Sequence, residues 1–394
     1  MSVLGHAPPK RAFAPAGIRW RTMITIAWRM MFHNKLKMAG TLIGVVFAVV
    51  LSNQQAGTFL GLIKKNTMFV DYSGADLWIV PPSTLTLQAS KPMGVAALFT
   101  ARATPGVAWA EPLIYGGAAV QLPGGGSEPV QFVGTSAPRF AGGPWNVVAG
   151  TRESLMRPNT MVFEDSERER LGGLNLGSVR EVNGTKIQVG GITWGLLPFG
   201  PSFAFAEYEL ARRMLHVDQD QTHFVLLGLE PGASAEAVKK AIMAHSPDVK
   251  VVGREEFRGM IISFLLRRSP IGITFGTSTV FALIVGFVIV SLSMFSAVVD
   301  NIREFGTLKA IGATNGDIAK IVVTQSVTFA LMGSLIGLAL ITRIAAAIRS
   351  PKLAVQLPPQ MLLGTTVVMV LMCVAASSLA VLRLRKVEPG MVFR

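Results

Sequence analysis

The fold class this sequence predicts is an α-helical membrane protein with four transmembrane helices and a large mixed α/β domain between spans one and two. Three observations predict it. Half of the 394 residues are hydrophobic and 15% are charged, a membrane-protein composition. Four apolar runs are long enough to cross a bilayer, since about 20 helical residues cover roughly 30 Å of hydrocarbon. The long stretch between the first two runs is polar, nearly neutral and punctuated by turn residues.

Residues 1–38 form an N-terminal segment whose first 17 residues, rich in Pro, Ala and Gly, are expected to be disordered. Arg19 to Lys37 then mixes aromatic and basic residues. Trp20, Ile24, Trp28 and Met31 fall on one helical face, the pattern of an amphipathic helix lying in the membrane interface. The first span, Ala39 to Ile63, is interrupted by Ser52-Asn53-Gln54-Gln55. It lies too far from the N-terminus, and is too long, for a cleaved signal peptide.

Residues 64–270 form the inserted domain. Ala75 to Val80 reads as a strand closed by Pro81-Pro82. Gly116 to Leu122 and Pro129 to Gly134 read as strands around Gly124-Gly125-Gly126. Met161 to Phe163 is a short strand, and Asp165 to Leu171 a charged helix. Asn183-Gly184, between Val179–Val182 and Lys186–Val189, is the strongest hairpin signal. Phe203 to Ala206 leads into a helix from Tyr208 to Leu215. His223 to Lys250 reads as strand, Pro-Gly turn, helix (Ala235 to Ala244) and then strand (Val249 to Val252), and Arg254 to Arg268 as a helix, with Pro270 a kink or start point. The second span is Ile271 to Val299. A short polar segment, residues 300–317, separates it from the third, Ile318 to Ile341. A loop over 342–360 leads to the fourth, Met361 to Leu382, and residues 383–394 form a tail.

The formal charge of +14 does not point to nucleic acid. Between Lys64 and Pro270 there are 20 Lys/Arg and 19 Asp/Glu, which leaves 17 basic and 4 acidic residues elsewhere. Lys10, Arg11, Arg19, Arg21, Arg29, Lys35 and Lys37 precede span one, and Arg383, Arg385 and Lys386 follow span four. By the positive-inside rule both termini are cytoplasmic and the inserted domain is external, although Arg343, Arg349 and Lys352 then lie outside. The single cysteine, Cys373, falls in span four, so neither an intrachain disulfide nor a Cys-rich metal site is available.

Catalytic signatures are missing. There is no P-loop spacing, no His-Glu-x-x-His and no Gly-x-Ser-x-Gly. His216 and His223 read as satisfied or solvent-facing, and Glu164, Asp165, Glu167 and Glu169 as a solvated helix face.

Three other features carry functional weight. Gly40, Gly44 and Ala48 recur every four residues in span one, as do Ala282/Gly286, Gly333/Gly337 and Ala376/Ala380 in the others. Such faces let helices approach closely, either within one chain or, for span one, along a dimer seam. Ser52, Asn53, Gln54 and Gln55 are either an internally bonded cap or the lining of a gate between protomers. The segment after span two joins an apolar stripe, Ile302, Phe305, Leu308 and Ile311, to glycines and both charge signs, which suits a rigid docking helix.

With those residues in view the chain resembles the MacB/FtsX-type ABC transporter permeases. Arg303-Glu304-Phe305-Gly306-Thr307-Leu308-Lys309-Ala310-Ile311-Gly312-Ala313-Thr314 follows that family's Arg-x-x-Glu-x-Gly-x-x-x-Ala-x-Gly-Ala pattern closely from Glu304 onward. One span, a large periplasmic domain and three further spans is its topology, Asn34-Lys35 matches its approach to span one, and Lys386 to Phe393 is similar to its C-terminal tail, with Gly390 where alanine is usual. Gly44 to Leu51, Gln55-Ala56-Gly57, Ser269 to Gly272 and Met372-Cys373 resemble the DevC branch, which tends to have Tyr-Ala-Thr where this chain has Phe305-Gly306-Thr307.

The resemblance implies a homodimeric permease in the bacterial inner membrane, itself not an enzyme. ATP and Mg would bind a separate ABC ATPase that grips Asn301, Arg303, Glu304, Phe305, Gly306, Leu308, Lys309, Gly312 and Ala313. ATP-driven closure would move span one and the stalk beyond it. A periplasmic adaptor, or membrane fusion protein, and a TolC-like outer-membrane channel would complete an exporter of a lipid, glycolipid, peptide or drug. Regulation of a periplasmic hydrolase by the same motion, as in FtsX, is the alternative, and a membrane receptor a third.

Overall fold

The computed structural model describes residues 20–33, 35–166, 168–196, 198, 200–347 and 355–384. The expectations at Lys10, Arg11, Arg19, Asn34, Glu167, Arg349, Lys352 and the tail from Arg385 lie outside the described residues. Along the chain the elements are α1 (Trp20–His33), α2 (Lys35–Tyr72), β1 (Leu77–Val80), β2 (Met93–Gly94), α3 (Ala96–Ala103), β3 (Val107–Gln121), β4 (Ser127–Thr135), β5 (Val147–Gly150) and β6 (Thr160–Glu164). There follow β7 (Val179–Val182), β8 (Thr185–Thr193), β9 (Phe203–Glu207), α4 (Tyr208–Met214), β10 (Gln221–Thr222), β11 (Phe224–Leu229), α5 (Ala235–His245), β12 (Lys250–Gly253) and α6 (Arg254–Arg267). The last elements are α7 (Pro270–Asp300), α8 (Ile302–Ala310), α9 (Asn315–Ala347) and α10 (Pro359–Leu384). Among the described residues, four helices are long and apolar enough to cross a membrane, and they lie in α2, α7, α9 and α10. The described residues divide into two compact units, a helical one from those within 20–57, 277–347 and 357–384, and an α/β one built mainly from those within 58–276.

The α/β unit is organised by a ten-stranded mixed sheet. Its order is β12-β1-β11-β3-β4-β9-β6-β8-β5, with β7 pairing both β3 and β8. Strand β3 is the long spine. Its first half pairs β11 (Leu113 opposite Phe224) and its second half β4 (Ile114 opposite Gly134). The pairs β4–β9 and β6–β8 are parallel. Side chains alternate across a strand, and β1 shows the result. Trp78 and Val80 enter an aromatic core with Phe69, Tyr115, Phe203, Phe224 and Phe257. Leu77 and Ile79 face the other way, onto Leu98 of α3 and Val238 and Ile242 of α5. A third cluster sets Phe132, Met161 and Phe163 beneath Leu210, Ala211 and Met214 of α4.

Asn183 and Gly184 take the left-handed conformation a two-residue hairpin requires, and β7 pairs β8 around them. Three expectations are corrected. Residues 165, 166 and 168–171 make turns rather than a helix, closed by positive-φ Gly172 and Gly173. Glu164 is not on a solvated face. It ends β6 fully buried, accepting hydrogen bonds from the Thr193 hydroxyl (2.7 Å) and the Gly195 N–H (2.8 Å). A buried carboxylate persists where donors converge on it. His223 is neither satisfied nor solvent-facing, being buried with Nδ1 unpartnered.

The helical unit packs through small side chains. Val45, Ala48 and Val49 of α2 join Val290, Phe329, Ala330, Met369, Cys373 and Ala376 in one cluster. A β-carbon added at Gly333 would come within 2.4 Å of Val45, and at Gly337 within 2.8 Å of Val49. Those helices meet only because no side chain stands between them.

Candidate functional site

Helix α8 begins beyond Asn301, whose carbonyl accepts from the Phe305 N–H at 3.0 Å. Glu304 in its first turn and Lys309 in its last suit the helix dipole. Its apolar stripe is buried unevenly. Phe305 is 1% exposed, packed with Ala27, Val298, Ile318, Ile321, Val322 and Val381, and Leu308 is partly buried against them. Phe305 therefore anchors the helix to its own chain and is not free to fill a partner's pocket. Ile311 ends the stripe 80% exposed. Arg303 and Glu304 are exposed and have no ionic partner among the described residues. Gly306 lies within the helix.

The exit from α8 is fixed by two interlocking caps. Gly312 takes φ +109°, its N–H donates to the Lys309 carbonyl at 3.0 Å, and the Ala313 N–H reaches the Leu308 carbonyl at 2.9 Å. These two bonds define a Schellman motif with glycine at its left-handed position. Thr314 then opens α9. Its hydroxyl donates to Asp317 Oδ2 at 2.7 Å and accepts from the Asp317 N–H at 3.2 Å, while Asp317 Oδ2 also accepts from the Thr314 N–H at 3.1 Å. That is a reciprocal capping box with aspartate in the glutamate position. The sequence shows Gly312, but not that Thr314 and Asp317 complete the turn, although the Thr-x-x-Asp spacing carries that signal.

The span-one residues divide differently from the expectation. Gly44 faces Ile289 and Ser293 of α7, with a built β-carbon 2.8 Å from Ile289, and Ala48 sits against Gly286. The close-approach face of Gly44 and Ala48 is thus filled within one chain, which corrects their placement on a dimer seam. Gly40 alone of the three is open. The polar run is also used internally. Asn53 is fully buried, and its Nδ2 donates to the Val49 carbonyl at 2.8 Å. The Thr365 hydroxyl of α10 shares its hydrogen between Asn53 Oδ1 (3.2 Å) and the Met361 carbonyl (2.8 Å). Ser52 is buried, while Gln54 and Gln55 are half-buried. Ser52 and Asn53 therefore belong to helix packing and not to a gate lining.

Two families match the sequence. Residues 36–245 match the MacB-like periplasmic core domain, just over half of the chain, and residues 276–389 match the FtsX-like permease C-terminal family. Among solved structures, the periplasmic region of MacB from Actinobacillus actinomycetemcomitans aligns over 51% of this chain and 97% of its own, at 8% identity and a TM-score of 0.38. The extracellular domain of the ABC-type transporter YknZ from Gram-positive bacteria aligns over 45% of this chain and 99% of its own, at 12% identity and a TM-score of 0.33. No curated protein matches the sequence. The two family matches cover the α/β unit and the later spans in turn, and they make the chain a multi-pass inner-membrane protein. It belongs to the MacB/FtsX-like family of ABC transporter permeases, which implies an ATPase partner and a dimer.

Proposed function

We propose that this chain is the permease subunit of an exporter of the DevC type, with α8 the cytoplasmic handle gripped by a separate ATPase. One observation carries the reading. Helix α8 is seated on its own chain by Phe305, held at a fixed exit by Gly312, Thr314 and Asp317, and still presents Arg303, Glu304 and Ile311 outward. A helix with a rigid mount and an unspent polar and apolar face is suited to receive force. Asn301, Gly306, Lys309 and Ala313 shape the mount, and recognition falls to the three exposed side chains. Both termini and α8 then lie on the cytoplasmic side, and the α/β unit in the periplasm. A homodimer, an adaptor and an outer-membrane channel of the TolC type complete the assembly. Its cargo is a lipid, glycolipid, peptide or drug.

Arg303→Ala with Glu304→Ala tests the handle. Losing partners of a charge pair buried in the complex costs about 2–5 kcal/mol, roughly 30-fold or more in affinity. The expected outcome is loss of ATPase co-purification and of transport-linked ATP turnover in a chain that still reaches the membrane. Wild-type levels of both would remove the reading. Recovery of a cell-wall hydrolase in place of an adaptor would instead indicate regulation without export.

A further inference from the structure

Two adjoining cavities in the α/β unit lie on either side of Trp109 and Arg139. The first, of about 280 Å³, is bounded by Tyr72, Trp145 and Arg152 as well as that pair. The second, of about 330 Å³, adds Arg102 and Glu111.

The walls are built rather than incidental. The loop from Ser136 to Trp145 is tied down at three points. Its Ala141 N–H donates to Glu111 Oε2 at 3.2 Å, its Ala141 carbonyl accepts from the Thr135 hydroxyl at 2.8 Å, and its Gly142 N–H reaches the Ser73 carbonyl at 2.9 Å. Gly142 needs its left-handed φ of +67° to turn there, and a β-carbon would meet Leu113 and Leu226 at 3.0 Å. Trp145 stacks on Tyr72 at 5.5 Å and 10° between planes, and both rings line the first cavity.

Charge is arranged above this frame. The Arg139 guanidinium sits 5.0 Å from the centre of the Trp109 ring. A cation–π contact of that kind engages the charge and spends none of the guanidinium's N–H donors, which stay available for an oxyanion. Its one carboxylate neighbour among the described residues, Glu111, is 3.7 Å away, longer than a hydrogen bond. Burial pushes the Glu111 carboxyl up, against the Ala141 N–H and the charges of Arg139 and Arg102, which pull it down. Arg102 spends Nε on the Ala110 carbonyl at 3.0 Å, and Arg152 spends Nε on Glu153 at 3.1 Å. Three guanidinium groups thus line the two cavities with terminal nitrogens left over.

We propose that these cavities are a binding site for a ring-bearing anion, a phosphate or carboxylate carried on a sugar-like ring. Arg139 and Arg152 take the anion through paired N–H donors, as guanidinium groups do. The ring lies along the Tyr72–Trp145 wall, where its C–H face covers aromatic carbon. Near the small end of ligand cavities, which run from about 300 Å³, the first cavity takes one ring with its anion, and the second receives whatever extends past Trp109. This site does not depend on the α8 reading.

The test uses the full chain in lipid nanodiscs, with glucose 1-phosphate as probe and empty discs as the blank. Saturation-transfer NMR reads ring protons at the protein surface, and phosphorus line width reads the anion. We expect saturable transfer to the ring protons, at least about tenfold weaker for Arg139→Ala and weakened for Arg152→Ala, since each loses charge-assisted hydrogen bonds to the anion. Arg152 is exposed, so its variant tests the site even if Arg139→Ala fails to fold. Glucose without phosphate should give no saturable signal. No transfer from glucose 1-phosphate to the folded protein overturns the site, as does binding unchanged in both variants. Inorganic phosphate binding as tightly as glucose 1-phosphate overturns the ring contact. Competition by discs containing phosphatidylinositol would assign the site to a lipid headgroup, and its absence to a soluble anion, each in agreement with the proposal.

Discussion

The α/β unit and the helical unit hold themselves together in opposite ways. In the first, burial is done by large side chains. Trp78 is fully buried, with its ring centre 6.1 Å from Phe69, 5.7 Å from Phe224 and 5.2 Å from Phe257. In the second, it is done by the smallest ones, with Gly333 against Val45, Gly337 against Val49 and Gly286 against Ala48. The solvent explains the contrast. Water rewards removal of apolar area at about 25 cal/mol per Å², so big aromatic residues repay their ordering. Lipid is as apolar as leucine, so helices gain only from close contact and a few hydrogen bonds.

The largest test of that contrast is Trp78→Ala. Removing a fully buried tryptophan typically costs about 3–5 kcal/mol. The α/β unit should lose its cooperative unfolding transition, followed by circular dichroism in the strand region, while the helices stay assembled. An unchanged transition would show that the aromatic core is not what carries this unit.

Acid sharpens the comparison next. Burial pulls His223 down to about 4. Its charged form is disfavoured in the folded state, so the stability it contributes is complete above its ordinary value of 6.5 and falls away as pH drops from 6.5 toward 4. The loss comes to roughly 3 kcal/mol at most. Glu111 and Asp165, both raised by burial, act with the opposite sign, so the readout is the difference between wild type and His223→Gln. The variant should lose less stability over that range, and parallel curves would exclude His223 as the cause.

In the helical unit Gly333→Val forces a branched side chain onto Val45. Overpacking of this kind costs about 1–3 kcal/mol. Unfolding of the helices in detergent should come earlier, with the transition of the α/β unit unmoved. The smallest expected effect is that of Thr365→Val, which removes the hydroxyl facing Asn53. Interhelical hydrogen bonds in membranes average about 0.6 kcal/mol. A loss several times larger would mean that Asn53 depends on Thr365 far more than on its own helix.

What could be read in advance follows the range of the signal. Asn183-Gly184 announced its hairpin because turn chemistry is local. The apolar runs announced the helices because a bilayer imposes length. The sheet order was not legible. Nothing near Leu77 reveals that it pairs both Leu227 and Gly253. Glu164 misled because an acidic run looks alike whether its first member is exposed or enclosed by Thr193 and Gly195. At the candidate site, the stripe of Ile302, Phe305, Leu308 and Ile311 was visible as a period. Which member turns inward depends on Ala27 and Val381, residues from opposite ends of the chain. Gly44 and Ala48 were legible as a close-approach face, but the identity of the approaching helix is a tertiary fact.

The cap pair that closes α8 separates two things that proteins often entangle. Gly312, Thr314 and Asp317 set the angle at which the helix is offered, while on the proposed function Arg303, Glu304 and Ile311 set what it is offered to. Neither group hydrogen-bonds the other. Recognition here can drift, or be rewritten, without the mounting having to be rebuilt. Grafting the outward residues of a relative onto this elbow should therefore readdress the chain to that relative's ATPase as a cassette, at little cost to folding.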